Sequence, residues 1–136
     1  MATIKRFEDL DVWKKSRILD NIIFKMSNKN NFKSDFELIK QARRSSGSIM
    51  DNIAEGFERG GKGEFIQFLS ISKGSAGELR SQMYRAHDRE YISKTEFDAT
   101  YDQCVEISKM LQGFMDYLRN SDIKGAKYIR KEPSQL

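Results

Sequence analysis

Residues 97–118 carry the plainest periodicity in the chain. Phe97, Thr100, Cys104, Ile107, Leu111, Phe114 and Leu118 follow at alternating steps of three and four, the seam of a helix packed lengthwise on others. Ile39, Ala42, Ser46, Ile49, Ile53 and Gly56 repeat that rhythm, and so do Phe65, Phe68, Ser72, Ser75, Leu79, Gln82 and Ala86. A further segment, from about Asp9 to Met26, sets Leu10, Trp13, Leu19, Ile22, Ile23 and Met26 at mixed helical spacings. No segment alternates with the period of a strand.

Local signals bound these four segments. Ser27 to Asn31 breaks the first, and Ser34-Asp35-Phe36-Glu37 reads as a capping box that opens the second. The second runs to about Arg59, where Gly60-Gly61 stops it. The third covers roughly Gly63 to Glu90, and Ser93-Lys94-Thr95-Glu96 is a second capping box that opens the fourth, which continues to about Asn120. Short connections make consecutive helices antiparallel, so the pattern predicts an all-α, up-down-up-down four-helix bundle over residues 1–122. The tail, 123–136, is basic and expected to be frayed or extended. A hairpin centred on Gly60-Gly61 would set Gly47 beside Gly74, Ser46 beside Ser75, and Arg43 or Arg44 beside Glu78.

A polar stripe flanks the core seam of the second helix: Gln41, Ser45, Ser48, Asn52, Glu55 and Arg59, with Arg44 beside it. Exposed helix positions favour long helix formers, so small Ser and Asn there suit close contact with another surface. The expectation is a subunit interface built on Gln41, Arg44, Ser45, Ser48, Asn52, Glu55 and Gly56, with Ser75 and Glu78 across from it. Arg44 and Glu78 would form a partly buried pair. Trp13, Phe57 and Tyr101 add more aromatic surface than one seam covers, which also favours a closed cyclic oligomer.

Composition narrows the chemistry. The single proline, Pro133, disfavours a turn-rich β fold, and the single cysteine, Cys104, excludes an internal disulfide or thiolate metal cage. No apolar run reaches the ~20 residues of a membrane span, and the expected location is the cytoplasm. The net charge of +4 is uneven: residues 1–34 carry eight basic and four acidic side chains, and residues 93–122 carry three and six. Lys14, Lys15 and Arg17, then Lys40 and Arg43, then Arg59 and Lys62 are the candidate contacts to RNA or DNA phosphates. They are scattered, and no aromatic interleaving marks a single-strand platform.

Three blocks carry a resemblance: Phe7-Glu8-Asp9-Leu10-Asp11-Val12-Trp13, Gln41 through Ile49, and Asn52-Ile53-Ala54-Glu55-Gly56. Together with Phe65 to Leu69, Gly74 to Leu79 and Gly113-Phe114, they resemble the four-helix-bundle family encoded by 23S rRNA intervening sequences. The resemblance spans roughly Phe7 to Leu118. It implies a homopentameric ring without a known catalytic centre and with a suspected nucleic-acid role. Accessory proteins of diversity-generating reverse transcriptases share the architecture, so a reverse transcriptase partner is implied as well. Gly47, where the family more often has an apolar residue, and the Lys-rich stretch Asn28 to Lys33 depart from the pattern.

Enzyme-like motifs are few. Gly56 to Gly63 nearly spells a P-loop, but Gly63 replaces the metal-binding Ser or Thr and no strand precedes it. One histidine cannot supply the two Glu-x-x-His motifs of a di-iron bundle, and neither a cofactor nor a metal is expected. Arg80 and His87 match the loose Arg-to-His spacing of helical HEPN-type ribonucleases, with His87 as general acid or base and Arg80 on the phosphate. Helix ends favour His on dipole grounds alone, so the expectation is a non-enzymatic oligomeric scaffold associated with nucleic acid, with the ribonuclease or a purely structural assembly as alternatives.

Overall fold

The computed structural model describes residues 3–125 and 129–133. Helices form where the periodic segments lie: α1, Asp11–Ser27; α2, Phe36–Arg59; α3, Lys62–Asp88; and α4, Lys94–Arg119. Short 3-10 turns, Phe7–Asp9 and Asn30–Ser34, precede α1 and α2. Among the described residues there is no strand, only an isolated antiparallel bridge between Gly61 and Gly125.

The helices stand at the corners of an antiparallel bundle, α1 against α2 and α4, and α3 against the same two. Cross-contacts run in opposite sense along each neighbouring pair. Arg43 meets Ser27 and Ser46 meets Asp20, while Lys73 meets Gln112 and Tyr84 meets Phe97. The α4 seam turns inward as its spacing requires: Thr100, Cys104, Ile107, Leu111, Phe114 and Leu118 are all buried. Phe65 lies at the centre, edge-on to both Phe57 and Phe114.

One helix start differs from expectation and another meets it. Asp35, not Ser34, caps α2, its carboxylate accepting the Leu38 N–H at 3.2 Å, because Ser34 is spent ending the preceding turn. The α4 box forms as read, with Ser93 and Glu96 each bonded to the other's backbone N–H. Gly60 takes the left-handed φ of 86° that ends α2. At the end of α3 the same role falls to Glu90, φ 63°, whose N–H and that of Tyr91 return to the carbonyls of His87 and Ala86.

The aromatic surplus is absorbed within the chain. Phe57 is buried, Trp13 packs edge-on to Phe7, and Tyr101 joins Phe97 and Tyr84.

The described part of the tail, 123–125 and 129–133, packs against the bundle, where fraying or extension was expected of 123–136. Ile129 is fully buried and its carbonyl accepts the Ile4 N–H. The Glu132 carboxylate, also buried, accepts the N–H groups of Asp11 and Val12, the latter at 3.0 Å, and so caps α1, whose own N-cap residue Leu10 has no side-chain acceptor. Residues 126–128 and 134–136 lie outside the described part.

Candidate interaction surfaces

The polar stripe of α2 is largely turned inward, onto α3. Ser48 and Ser75 share a hydrogen bond of 2.8 Å, and the Asn52 amide donates to both the hydroxyl and the carbonyl of Ser48. Ser72 donates to the Ile49 carbonyl at 2.7 Å, and Arg85 donates to Gln41 at 2.6 Å. Ser45 is buried. Gly56 lets the two helices close completely, since a Cβ there would stand 2.6 Å from the Cβ of Phe68. Small hydroxyl residues thus serve a tight α2/α3 seam in which they satisfy one another.

This packing also corrects the register. Ser75 faces Ser48, not Ser46, whose hydroxyl instead donates to Asp20 on α1. Gly47 likewise looks toward Asp20, and Gly74 faces open space. Within the single chain Arg44 and Glu78 are both exposed, and no ion pair joins them. Only the Glu55–Arg59 end of the stripe is open, and it closes on itself at 2.8 Å.

The candidate phosphate contacts divide into two groups. Lys15 is held by Glu106 at 2.6 Å, which keeps its ammonium charged above the ordinary range. Arg43 donates to Ser27 and Asn28 and lies 4.6 Å over the Phe24 ring. Arg59 pairs with Glu55, and Lys62 donates to the Ser121 carbonyl. These four have internal partners. Lys14, Arg17 and Lys40 are exposed and make no ion pair among the described residues. Arg44 belongs with them.

Arg80 and His87 do not meet. Seven residues along one helix put them about 10 Å apart in height. Arg80 lies over Tyr101 at 5.7 Å, whereas His87 lies against Phe97 at 5.1 Å. The open cavity beside His87, about 600 Å³, is lined by Asp88, Glu90 and Glu96 but not by Arg80. Three carboxylates there oppose the approach of a phosphodiester. Cys104 is equally ill-placed for nucleophilic chemistry, because burial pushes its thiol up to about 12. Among the described residues no cluster of three or more His, Cys, Asp or Glu side chains is arranged to hold a metal ion. No helix there is long and apolar enough to cross a membrane.

One surface escaped the sequence reading. Two cavities of about 130 and 340 Å³ lie in series along the α1/α4 seam and share Gln103. Ile18, 57% exposed, stands on the rim. The Gln103 side-chain carbonyl is buried without a hydrogen-bond donor among the described residues. The signal was present in α1 and just past its end, where Lys15, Ile18, Ile22, Lys25 and then Lys29 step by three and four on the flank of the core seam.

A profile of the family described as 23S rRNA-intervening sequence protein matches residues 8–113. The chain belongs to that family. Among solved structures, a protein of unknown function from the S23 ribosomal protein family of Bacteroides thetaiotaomicron VPI-5482 is similar to it, at 27% identity and a TM-score of 0.70. The similarity covers 76% of this chain and 97% of that one. No curated protein matches. For this member of the 23S rRNA-intervening sequence family, the matched span takes in α1 to α3 and most of α4, and stops short of the tail that caps α1.

Proposed function

We propose that this protein is a non-enzymatic, cyclic homo-oligomeric scaffold that associates with nucleic acid, a pentamer by its family resemblance. The observation that carries the reading is two pairs of exposed cations outside every internal ion pair among the described residues: Lys14 with Arg17, which also lies over the Trp13 ring at 5.9 Å, on α1, and Lys40 with Arg44 on α2. Pairs at i,i+3 and i,i+4 are neighbours on a helix surface and present two charges to one phosphate run. Rotational symmetry repeats each pair, so that modest contacts add multivalently. The acidic cavity beside His87, which Arg80 does not line, supports binding without cleavage.

The test is binding of single-stranded and duplex RNA across a salt series. Affinity should fall steeply with salt, and Lys14→Glu with Arg17→Glu should flatten the logarithmic slope by roughly 0.7–0.9 for each phosphate that the variant no longer neutralises. Lys15 is left alone because its charge packs α1 on α4. Salt-independent binding, or none at low salt, contradicts the reading. Cleavage of the RNA that vanishes in His87→Ala while binding persists would overturn its non-enzymatic part.

A further inference from the structure

Two cation–aromatic pairs lie on one flank of the bundle, where α1 meets α2. Arg17 stands over the Trp13 ring at 5.9 Å, and Arg43 stands over the Phe24 ring at 4.6 Å. At roughly 100° per residue, Trp13, Arg17 and Phe24 fall within about 40° of one another around α1. Arg43 reaches the same flank from α2, placed by hydrogen bonds of 2.9 Å to both Ser27 and Asn28. Rings and cations therefore alternate along the flank, an interleaving that exists only once α2 folds against α1. Resting on the nucleic-acid reading above, we propose that this flank binds an unpaired nucleic-acid strand. Its bases stack on the two pairs and its phosphates meet the cations beside them.

The rings decide for an unpaired strand. Phe24 is 52% exposed with Arg43 over it, so a flat apolar surface stays open beside a guanidinium held in place. An unpaired base has a free π face and stacks on aromatic rings or guanidinium planes. A duplex keeps its bases stacked on one another and offers this flank its phosphates alone.

Charge suits the same ligand. The Arg43 hydrogen-bond partners are neutral, and neither Arg17 nor Arg43 makes an ion pair among the described residues. Lys14 and Lys40, both exposed, each precede one of these arginines by three residues on the same helix, which sets two cations at each station. Between the levels of Trp13 and Asn28, the carboxylates of α1 and α2 are Asp20 and Asp51, fewer than the cations. Asp20 is drawn toward α2, where it accepts the Ser46 hydroxyl at 2.7 Å. Trp13 and Phe24 stand about 16 Å apart along α1, the reach of a few extended nucleotides.

Titration of the full chain with an oligouridylate tests this, read through the fluorescence of Trp13, the one tryptophan in the sequence. Binding should quench that emission, and a blunt duplex of equal phosphate count should bind more weakly and leave it unaltered. Phe24→Ala should weaken oligouridylate binding about 5- to 150-fold, the worth of one stacked base, while Phe24→Tyr keeps the ring and the affinity. The logarithmic salt slope should stay at the wild-type value in Phe24→Ala, because a lost stack releases no counterion. Circular dichroism verifies the fold of each variant. If oligouridylate and duplex bind equally, with Trp13 emission constant and Phe24→Ala as tight as wild type, this inference is wrong and the nucleic-acid reading stands. If Phe24→Ala changes the light-scattering mass at unchanged affinity, the ring serves contact between copies, and the inference is equally wrong. If neither ligand binds at low salt, both readings fall.

Discussion

Gly56 and Glu90 show the two ways a single position can set backbone geometry. At Gly56 the constraint is the neighbour: any Cβ collides with that of Phe68, and both atoms are anchored on helices. Gly56→Ala should therefore destabilise by about 1–3 kcal/mol, seen as a lower urea midpoint at unchanged slope. At Glu90 the constraint is φ, 63°, a conformation that costs an L-residue roughly 1 kcal/mol and glycine almost nothing. Glu90→Gly should raise stability by up to about 1 kcal/mol in the same assay. A fall at Glu90 would mean that the carboxylate makes up for the strain. The glycine at 56 was legible as a seam position, but its reason was not, since Phe68 becomes its neighbour only once α3 folds back.

At the scale of the helix, ends were easier to read than flanks. The Ser93–Glu96 box is local chemistry complete within four residues, and it forms as written. The stripe from Gln41 to Asn52 is different, because periodicity shows that a helix has a second special flank without showing what meets it. In this chain α3 meets it first, through Ser48–Ser75 and Gln41–Arg85. The α2 start carries a testable electrostatic consequence. Asp35 accepts the Leu38 N–H and hydrogen bonds from Tyr91 and Arg89, which together hold its carboxyl below the ordinary 3.8. Its contribution is thus fully present above that value and lost as pH falls through the lowered one. Asp35→Asn keeps a capping side chain but loses the charge that pairs with Arg89, and should cost about 0.2–1 kcal/mol at neutral pH and progressively less in acid. Equal cost at neutral and strongly acid pH would show that the charge is not what matters. Glu132 acts in the opposite sense: burial raises its carboxyl above 4.5, so its titration favours the fold in acid and loses that contribution as pH rises through the raised value.

For the whole molecule, the bundle was legible because four periodic segments with short connections have few arrangements to choose from. The closing of the chain was not. Glu132 reaches Val12 across 120 positions of sequence, and no spacing rule relates residues so far apart. The basic, glycine-containing length between α4 and Glu132 reads as tail by composition. Yet it carries a fully buried isoleucine and leads to the carboxylate that accepts the first N–H groups of α1. A tail that merely trailed would be indifferent to substitution. Here Ile129→Ala should cost about 2–4 kcal/mol, as for other large-to-small changes in a packed core. Glu132→Ala should cost about 0.5–2 kcal/mol through the lost cap. Lys131→Ala, on the exposed side of the same segment, should stay within about 0.5 kcal/mol of wild type. Urea denaturation of the three variants separates the cases. Wild-type stability in both Ile129→Ala and Glu132→Ala would mean that the segment does not dock on α1 in solution, and that the first turn of α1 is satisfied by water.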